Sequence, residues 1–346
     1  MLVIRAITQG DVDPLIQMAH QVGSGMTTLK PDRAMLGERV AIAVASFAQA
    51  IPPEQRDYMF VMEDTATGRL AGVCAIKAAV GLTEPFYNYR IGTLVHSSRE
   101  LNVFTRMDTL YLSNDLTGSS ELCSLFLMPE YRQGYNGKWL SKSRFLFIAQ
   151  FQHLFTEKII AEMRGYQAED GTSPFYEGLG RHFFKMDFDH VDGLTAVGKK
   201  SFIAELMPRQ PLYVAYLPDD AQQVIGQVHN STQPARKLLE QEGMHYEGYV
   251  DIFDAGPVLQ GRAAELRAVR ESMLAVADEG QPAPDAAPLL VSNTRLDDFR
   301  MVLAHAANED GKVALSVREL QLLHCQPGDE VRTLTLNPGK TQTRKN

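Results

Sequence analysis

The alternation of apolar and polar positions predicts a strand over Leu2 to Ile7 and, after an Asp11 or Asp13 cap, a helix with Pro14 in its first turn. A second helix is expected from about Asp32 to Ile51, stopped by Pro52-Pro53. Tyr58 to Glu63 and Val73 to Ala78 read as strands joined by the turn ATGRLAG. Residues 82–120 suggest two more strands around a polar turn at Ser113-Asn114-Asp115. The clearest pattern follows. Leu122 to Leu127 is a continuous apolar run, read as a buried strand, and Pro129 stops it. Trp139, Leu140, Phe147, Phe151 and Leu154 then recur at helical spacing.

Beyond this centre, Lys158 to Arg164 predicts a strand and Ser173-Pro174 opens a helix over PFYEGLGRHFF. A second helix of similar wording, PARKLLEQEGMHYEGY, has Thr232 as its cap and Gly243 at its end. Tyr249 to Phe253 is a strand closed by DAGP. Residues 276–288 are rich in Pro, Ala and Asp and read as a linker. LLVSN, FRMVLAHA, KVALS and VRTLTL then predict short strands of a small β-barrel. The expected division is a main unit over 1–275, a linker over 276–288 and a barrel over 289–346.

Composition narrows the partners. The 346 residues are 45% hydrophobic, enough for a substantial core, with a net charge of −8. That balance disfavours nucleic acid and anionic membranes. Three cysteines are widely spaced without a C-x-x-C pair, so metal and disulfide roles are poor readings and a reducing cytoplasm fits. No stretch approaches the ~20 apolar residues of a membrane span.

The segment Arg132-Gln133-Gly134-Tyr135-Asn136-Gly137-Lys138 joins the central strand to its helix. Free backbone N–H groups at a helix N-terminus make an anion site, and Arg132, Lys138, Lys142 and Arg144 supply local positive charge against Glu130. The turn resembles the acetyl-CoA-binding turn of the GNAT acyltransferases, [RQ]-x-x-G-x-[GA]. Arg132 and Gly137 match, whereas Tyr135 falls where the first glycine belongs. That resemblance implies an α/β (α+β) fold with a mixed, centrally splayed sheet. It also implies backbone contacts to an acyl-CoA from Leu125, Phe126 and Leu127.

Acyl transfer to an amine moves one proton, and histidine is the default carrier near neutral pH. Of nine histidines, His229 lies in the polar junction VIGQVHNSTQPAR just ahead of a capped helix. Cys123, in the apolar strand, reads as a core thiol without a basic neighbour in sequence.

Several longer strings occur together: NDLTGSSELCSLFL, GKWLSKSRFLFIA, AEMRGY, SPFYEGLGRHFFKMDF, FIAELMPR, VIGQVH and YVDIFDAGP. They resemble the arginine N-succinyltransferase family from about residue 1 to 275 and more loosely to the end. The resemblance implies succinyl-CoA and L-arginine as substrates and N2-succinyl-L-arginine and CoA as products, with no permanently bound cofactor and no metal. It implies His229 as proton donor and Leu125 as a succinyl-CoA contact. Some family members pair paralogous subunits acting on arginine and ornithine, so a homo-oligomer or such a hetero-oligomer is expected; a silent CoA-binding subunit is the rival. A guanidinium calls for a carboxylate and a carboxylate for arginine or backbone N–H groups. Asp115, Glu162 and Asp170 are candidates for the first, Arg90 and Arg181 for the second.

Overall fold

The structure, a computed structural model, describes residues 1–22, 26–196, 200–281, 283 and 285–338. The last residues of the expected barrel, 339–346, lie outside the described residues. The chain opens with β1 (Leu2–Ala6), α1 (Val12–Ala19), α2 (Arg33–Phe47), β2 (Asp57–Asp64) and β3 (Arg69–Lys77). A long hairpin, β4 (Asn88–Ser98) and β5 (Val103–Ser113), precedes the central β6 (Ser120–Leu127), α3 (Asn136–Gln150) and β7 (Lys158–Glu162). An irregular excursion holds α4 (Arg181–Phe184), α5 (Phe188–Ala196), α6 (Ser201–Leu206), β8 (Leu212–Tyr213) and α7 (Asp219–Val224). Then come α8 (Gln233–Gln241), β9 (His245–Asp251), β10 (Pro257–Arg262) and α9 (Arg267–Glu271). The tail comprises β11 (Met273–Glu279), β12 (Pro288–Asn293), β13 (Arg300–His305), β14 (Asn308–Glu309), β15 (Lys312–Leu315), α10 (Val317–Leu323) and β16 (Glu330–Thr335).

All sixteen of these strands form one open, mixed sheet in the order β14-β15-β11-β16-β12-β13-β1-β2-β3-β6-β7-β10-β9-β4-β5-β8. This corrects two expectations. The tail is not a closed barrel: β13 pairs antiparallel with β1, Ile4 opposite Met301, and so extends the main sheet. The expected linker begins inside a strand, because β11 runs to Glu279 between β15 and β16. Its small residues hid a period of two, with Ala275 and Ala277 buried and their neighbours exposed. Phe299 of the tail packs edge-on against Phe147 of α3, ring centroids 4.9 Å apart, and against Phe60 of β2.

Helix α3 is buried on most sides because it meets β3 and β6 on one flank and α8, α9, β12 and β16 on others. Such a helix has no face left for water, and its charges need internal partners. Lys142 finds Glu242 at 2.6 Å, and Glu242 also accepts from Arg267, whose guanidinium reaches on to the Thr335 carbonyl. Gly72 on β3 lets α3 approach; a Cβ there would lie 2.7 Å from Leu140 Cδ2 and 2.8 Å from the Phe126 carbonyl. Helix α2 is fixed on the opposite face, its N-terminus capped by Asp32 accepting from the Met35 N–H. It ends at Phe47, short of Ile51, where Gln49 turns left-handed at φ 54°.

Candidate functional site

The two central strands diverge. β6 and β7 are parallel and partnered only at Ser120 opposite Ile159 and Glu121 opposite Ile160. Beyond that point β6 stays with β3 as far as Leu127, and β7 stays with β10 as far as Glu162. A wedge opens between them, lined on one side by Leu125, Phe126 and Leu127. The register of β6 slips by one residue between Val73 and Ala75 of β3, and Ser124 takes φ 55°. This bulge re-aims the strand at the level where the wedge widens. Ser124 is held there by its hydroxyl, which donates to Thr28 Oγ1 at 2.9 Å and accepts from Arg39 at 2.8 Å.

The wide end of the wedge leads to the turn before α3. Gly134 is left-handed at φ 55°, a conformation that favours glycine. Among the described residues no backbone acceptor meets the N–H groups of Gly134, Tyr135, Gly137 or Lys138, and no side chain caps the helix. Asn136 donates to the Tyr131 carbonyl and Gln133 N–H to the same oxygen, which tightens the turn. Arg132 lies over the Phe126 ring and donates to the Leu127 carbonyl at 2.9 Å. Lys138 reaches Asn337 at 3.3 Å. Lys142 and Arg144, expected to add charge here, are buried instead: Lys142 pairs with Glu242, and Arg144 donates to Ser141 and to the Cys123 carbonyl. The cationic side chains left to the turn are Arg132 and Lys138.

His229 enters the wedge from the β7 side. Met163 N–H donates to the Pro257 carbonyl and Gly165 N–H to Asp254 Oδ2, so both point toward β10. In extended backbone the groups of Arg164 then face the other edge, the one β6 leaves open. There the Arg164 carbonyl accepts the His229 N–H at 2.9 Å, and Gly165 and Val228 form an antiparallel bridge. Gly165 and Gly256 make this seam possible, since a Cβ on Gly256 would lie 1.9 Å from the Met163 carbonyl. Asp254 clamps it, accepting from Gly165 and Gly256 at 2.7 and 2.8 Å.

The His229 ring caps the turn Asn230–Thr232. Its Nδ1 accepts the Ser231 N–H at 3.2 Å and lies 2.7 Å from Ser231 Oγ. An N–H only donates, so Nδ1 is bare and the neutral ring carries its proton on Nε2. Burial, and then the charge of Arg164, hold the ring below the usual imidazole range.

Glu162 closes the inner end of this group, two residues beyond the last β6–β7 pair. Its Oε1 accepts from Asn88 at 2.7 Å. Burial, then Asp251 and Glu121, push its carboxyl well above the ordinary range. The other substrate candidates have partners of their own. Arg90 on β4 is exposed and pairs with Asp115 at 3.9 Å, and Asp115 also accepts from Tyr249. Arg181 is exposed between Glu177 and Asp187, and Asp170 caps its own turn through Thr172.

Three comparisons bear on this architecture. The family profile described as "Arginine N-succinyltransferase beta subunit" matches residues 2–268, and that of its C-terminal domain matches residues 272–335. The chain belongs to the arginine N-succinyltransferase beta subunit family. It is 49% identical over 339 residues to the arginine N-succinyltransferase of Enterobacter sp. (strain 638), covering 98% of each chain. It is 49% identical over 337 residues to that of Escherichia coli (strain 55989 / EAEC), covering 97% of this chain and 98% of the relative. Among solved structures, subunit AI of the arginine/ornithine succinyltransferase from Pseudomonas aeruginosa superposes with a TM-score of 0.89 at 35% identity, over 98% of this chain and 99% of that one.

Within this family frame, two residues stand out that sequence reasoning passed over. Arg164 sat inside the string AEMRGY as a strand residue, and Ser231 was merely part of a polar junction. Arg164 has no local signal, since only its seam to His229 brings it to the wedge, whereas Ser231 lies in the turn that the His229 ring caps. Cys123 shows the reverse. The fold does give it a cation, Arg39, 3.5 Å from Sγ. Burial and the nearby carboxylate of Glu121 outweigh that cation and raise the thiol above its usual range.

Proposed function

We infer that this chain transfers a succinyl group from succinyl-CoA to the α-amino group of L-arginine, as an acyl-CoA transferase of GNAT-like design. The wedge between β6 and β7, with an open helix N-terminus at one end and His229 at the other, carries the reading. The pyrophosphate would sit on the N–H groups of Gly134, Tyr135, Gly137 and Lys138, helped by Arg132, Lys138 and the dipole of a 15-residue helix. The pantetheine arm would run down the wedge along Leu127, Phe126 and Leu125, bringing the thioester to the level of the Ser124 bulge.

The amine attacks the thioester carbonyl, the C–N bond forms, the C–S bond breaks, and the ammonium proton leaves. His229 presents Nε2–H to the charge that develops on oxygen and sulfur. Glu162, a carboxyl with raised proton affinity, faces the cationic acceptor and suits the uptake of its proton. The pair has opposite tasks set by environment, one group donating and one accepting.

The purified chain, assayed alone with succinyl-CoA and a panel of L-arginine, L-ornithine and other amines, tests this. Arginine turnover that drops roughly 10²–10⁴-fold in His229→Ala, with succinyl-CoA affinity little changed, is expected. Full turnover in that variant would remove His229 from the chemistry. A chain inactive alone but active with a paralogue would make it one subunit of a pair.

A further inference from the structure

We propose that the guanidinium of Arg164 receives a carboxylate of one of the two substrates, next to His229. The assignment rests on the reaction inferred above, whose substrates each carry a free carboxylate: the α-carboxylate of arginine and the distal carboxylate of the succinyl group. It starts from the backbone. Residues 162 and 164 lie two apart in extended chain and share a face of the sheet. Val228 bridges Gly165 and packs into the core around α3, so His229 next to it turns to the Arg164 side. The depressed proton affinity of His229 records the same proximity.

The guanidinium is half-made for a ligand. One Nη is held by Gln167 Oε1, which fixes the plane of the fork. Nε is buried without a hydrogen-bond partner, and among the described residues no carboxylate lies within ion-pair distance. Buried donors of a charged fork are costly to leave unmet. Asp254, Asp192 and Asp189 attract Arg164 from further away. Asp254 is already taken up by the N–H groups of Gly165 and Gly256, and Asp192 stands 3.8 Å from Lys30. They only partly offset burial, which lowers the proton affinity of Arg164, and none fills its fork. What remains is the Nε–H and the N–H groups of the other Nη, donors that a carboxylate can accept.

The test compares substrates that differ only in the carboxylate. L-Arginine and agmatine are the acceptors, and succinyl-CoA and butyryl-CoA the donors, each followed as kcat/KM in wild type, Arg164→Gln and Arg164→Lys. The wild type should prefer the carboxylate-bearing partner. Arg164→Gln should shrink one preference by about tenfold to a hundredfold, the scale of a charged hydrogen-bonded pair. Arg164→Lys, which keeps the charge but not the fork, should shrink it partway. Loss of the arginine-over-agmatine preference places the acceptor's carboxylate there; loss of the succinyl-over-butyryl preference places the donor's. Both preferences intact in Arg164→Lys and in any folded Arg164→Gln overturn the assignment. If the wild type acylates neither acceptor from either donor, the reaction inferred above fails instead.

Discussion

The N–H of His229 donates to the carbonyl of Arg164 at 2.9 Å, so a histidine and an arginine 65 positions apart in sequence share one edge of an extended strand. The contact sets both the place of the imidazole and the charge beside it. The His229 ring should therefore titrate below pH 6.5, the ordinary imidazole value. Arg164→Gln should move that titration upward, because removing a cation favours the protonated ring. For stability the sign is the opposite of a salt-bridged histidine: the unfolded chain binds this proton more tightly, so the group costs stability as pH falls below 6.5. An NMR titration of the ring decides; a wild-type midpoint at or above 6.5 counts against the coupling.

Among the described residues, Arg132 and Lys138 are the cationic side chains left to the turn before α3, and neither is paired with a carboxylate. Replacing either by Ala should weaken succinyl-CoA binding roughly tenfold, as for one charged hydrogen bond. The variant's affinity should also depend less on salt, since a phosphate contact is screened by ions. Lys142→Met should behave differently, with its main effect on unfolding, because Lys142 belongs to the Glu242–Arg267 network. Calorimetry at low salt showing unchanged binding in both turn variants would move the pyrophosphate elsewhere.

Transfer should be direct, through a ternary complex. Cys123 is the thiol nearest the wedge, and its proton is held by burial and by Glu121 despite Arg39. A thiol kept protonated is a poor nucleophile. Initial rates against both substrates should give intersecting lines, and Cys123→Ala should retain turnover. Parallel lines with a succinylated Cys123 trapped in the absence of arginine would reverse this.

Asp192 supplies a stability test. Burial raises its carboxyl to about 6 despite Lys30. The folded chain binds this proton more tightly than the unfolded one, so the penalty is absent below about pH 4 and complete above the folded value of about 6. Asp192→Asn should gain about 2–3 kcal/mol relative to wild type on going from acid to pH ~8, less whatever the Lys30 pairing contributes. Denaturant unfolding at the two pH values measures it, and equal differences at both would show that Asp192 titrates normally.

Local chemistry was legible where it repeats within a few residues. The apolar run of β6, the stop at Pro129 and the 3.6-residue period of α3 announced the centre of the fold, and the polar junction singled out His229. Helix α10 carried a readable signal that went unused: Ser316 and Glu319 form a capping box, each side chain accepting from the other's backbone N–H. Strand β10, PVLQGR, has too little alternation to stand out beside DAGP. The barrel was misjudged because short strands reveal alternation but not their neighbours, and the pairing of β13 with β1 spans nearly the whole chain. Arg164 was missed for the same reason. Its importance lies in a seam to residues 228 and 229, and no spacing in the sequence encodes that seam.

The pairing of β13 with β1 also has a consequence for how the chain is made. During synthesis β1 gains its partner on one side early, from β2, but waits for the other until the tail is made. Until then β1 is an exposed edge, and Phe147 and Phe60 lack the ring of Phe299 that completes their cluster. An unfinished chain therefore presents an open strand and an unfilled aromatic gap, the two features that invite association between nascent chains. Ribosome stalling or truncation before residue 300 should leave a species that chaperones hold rather than a smaller working enzyme.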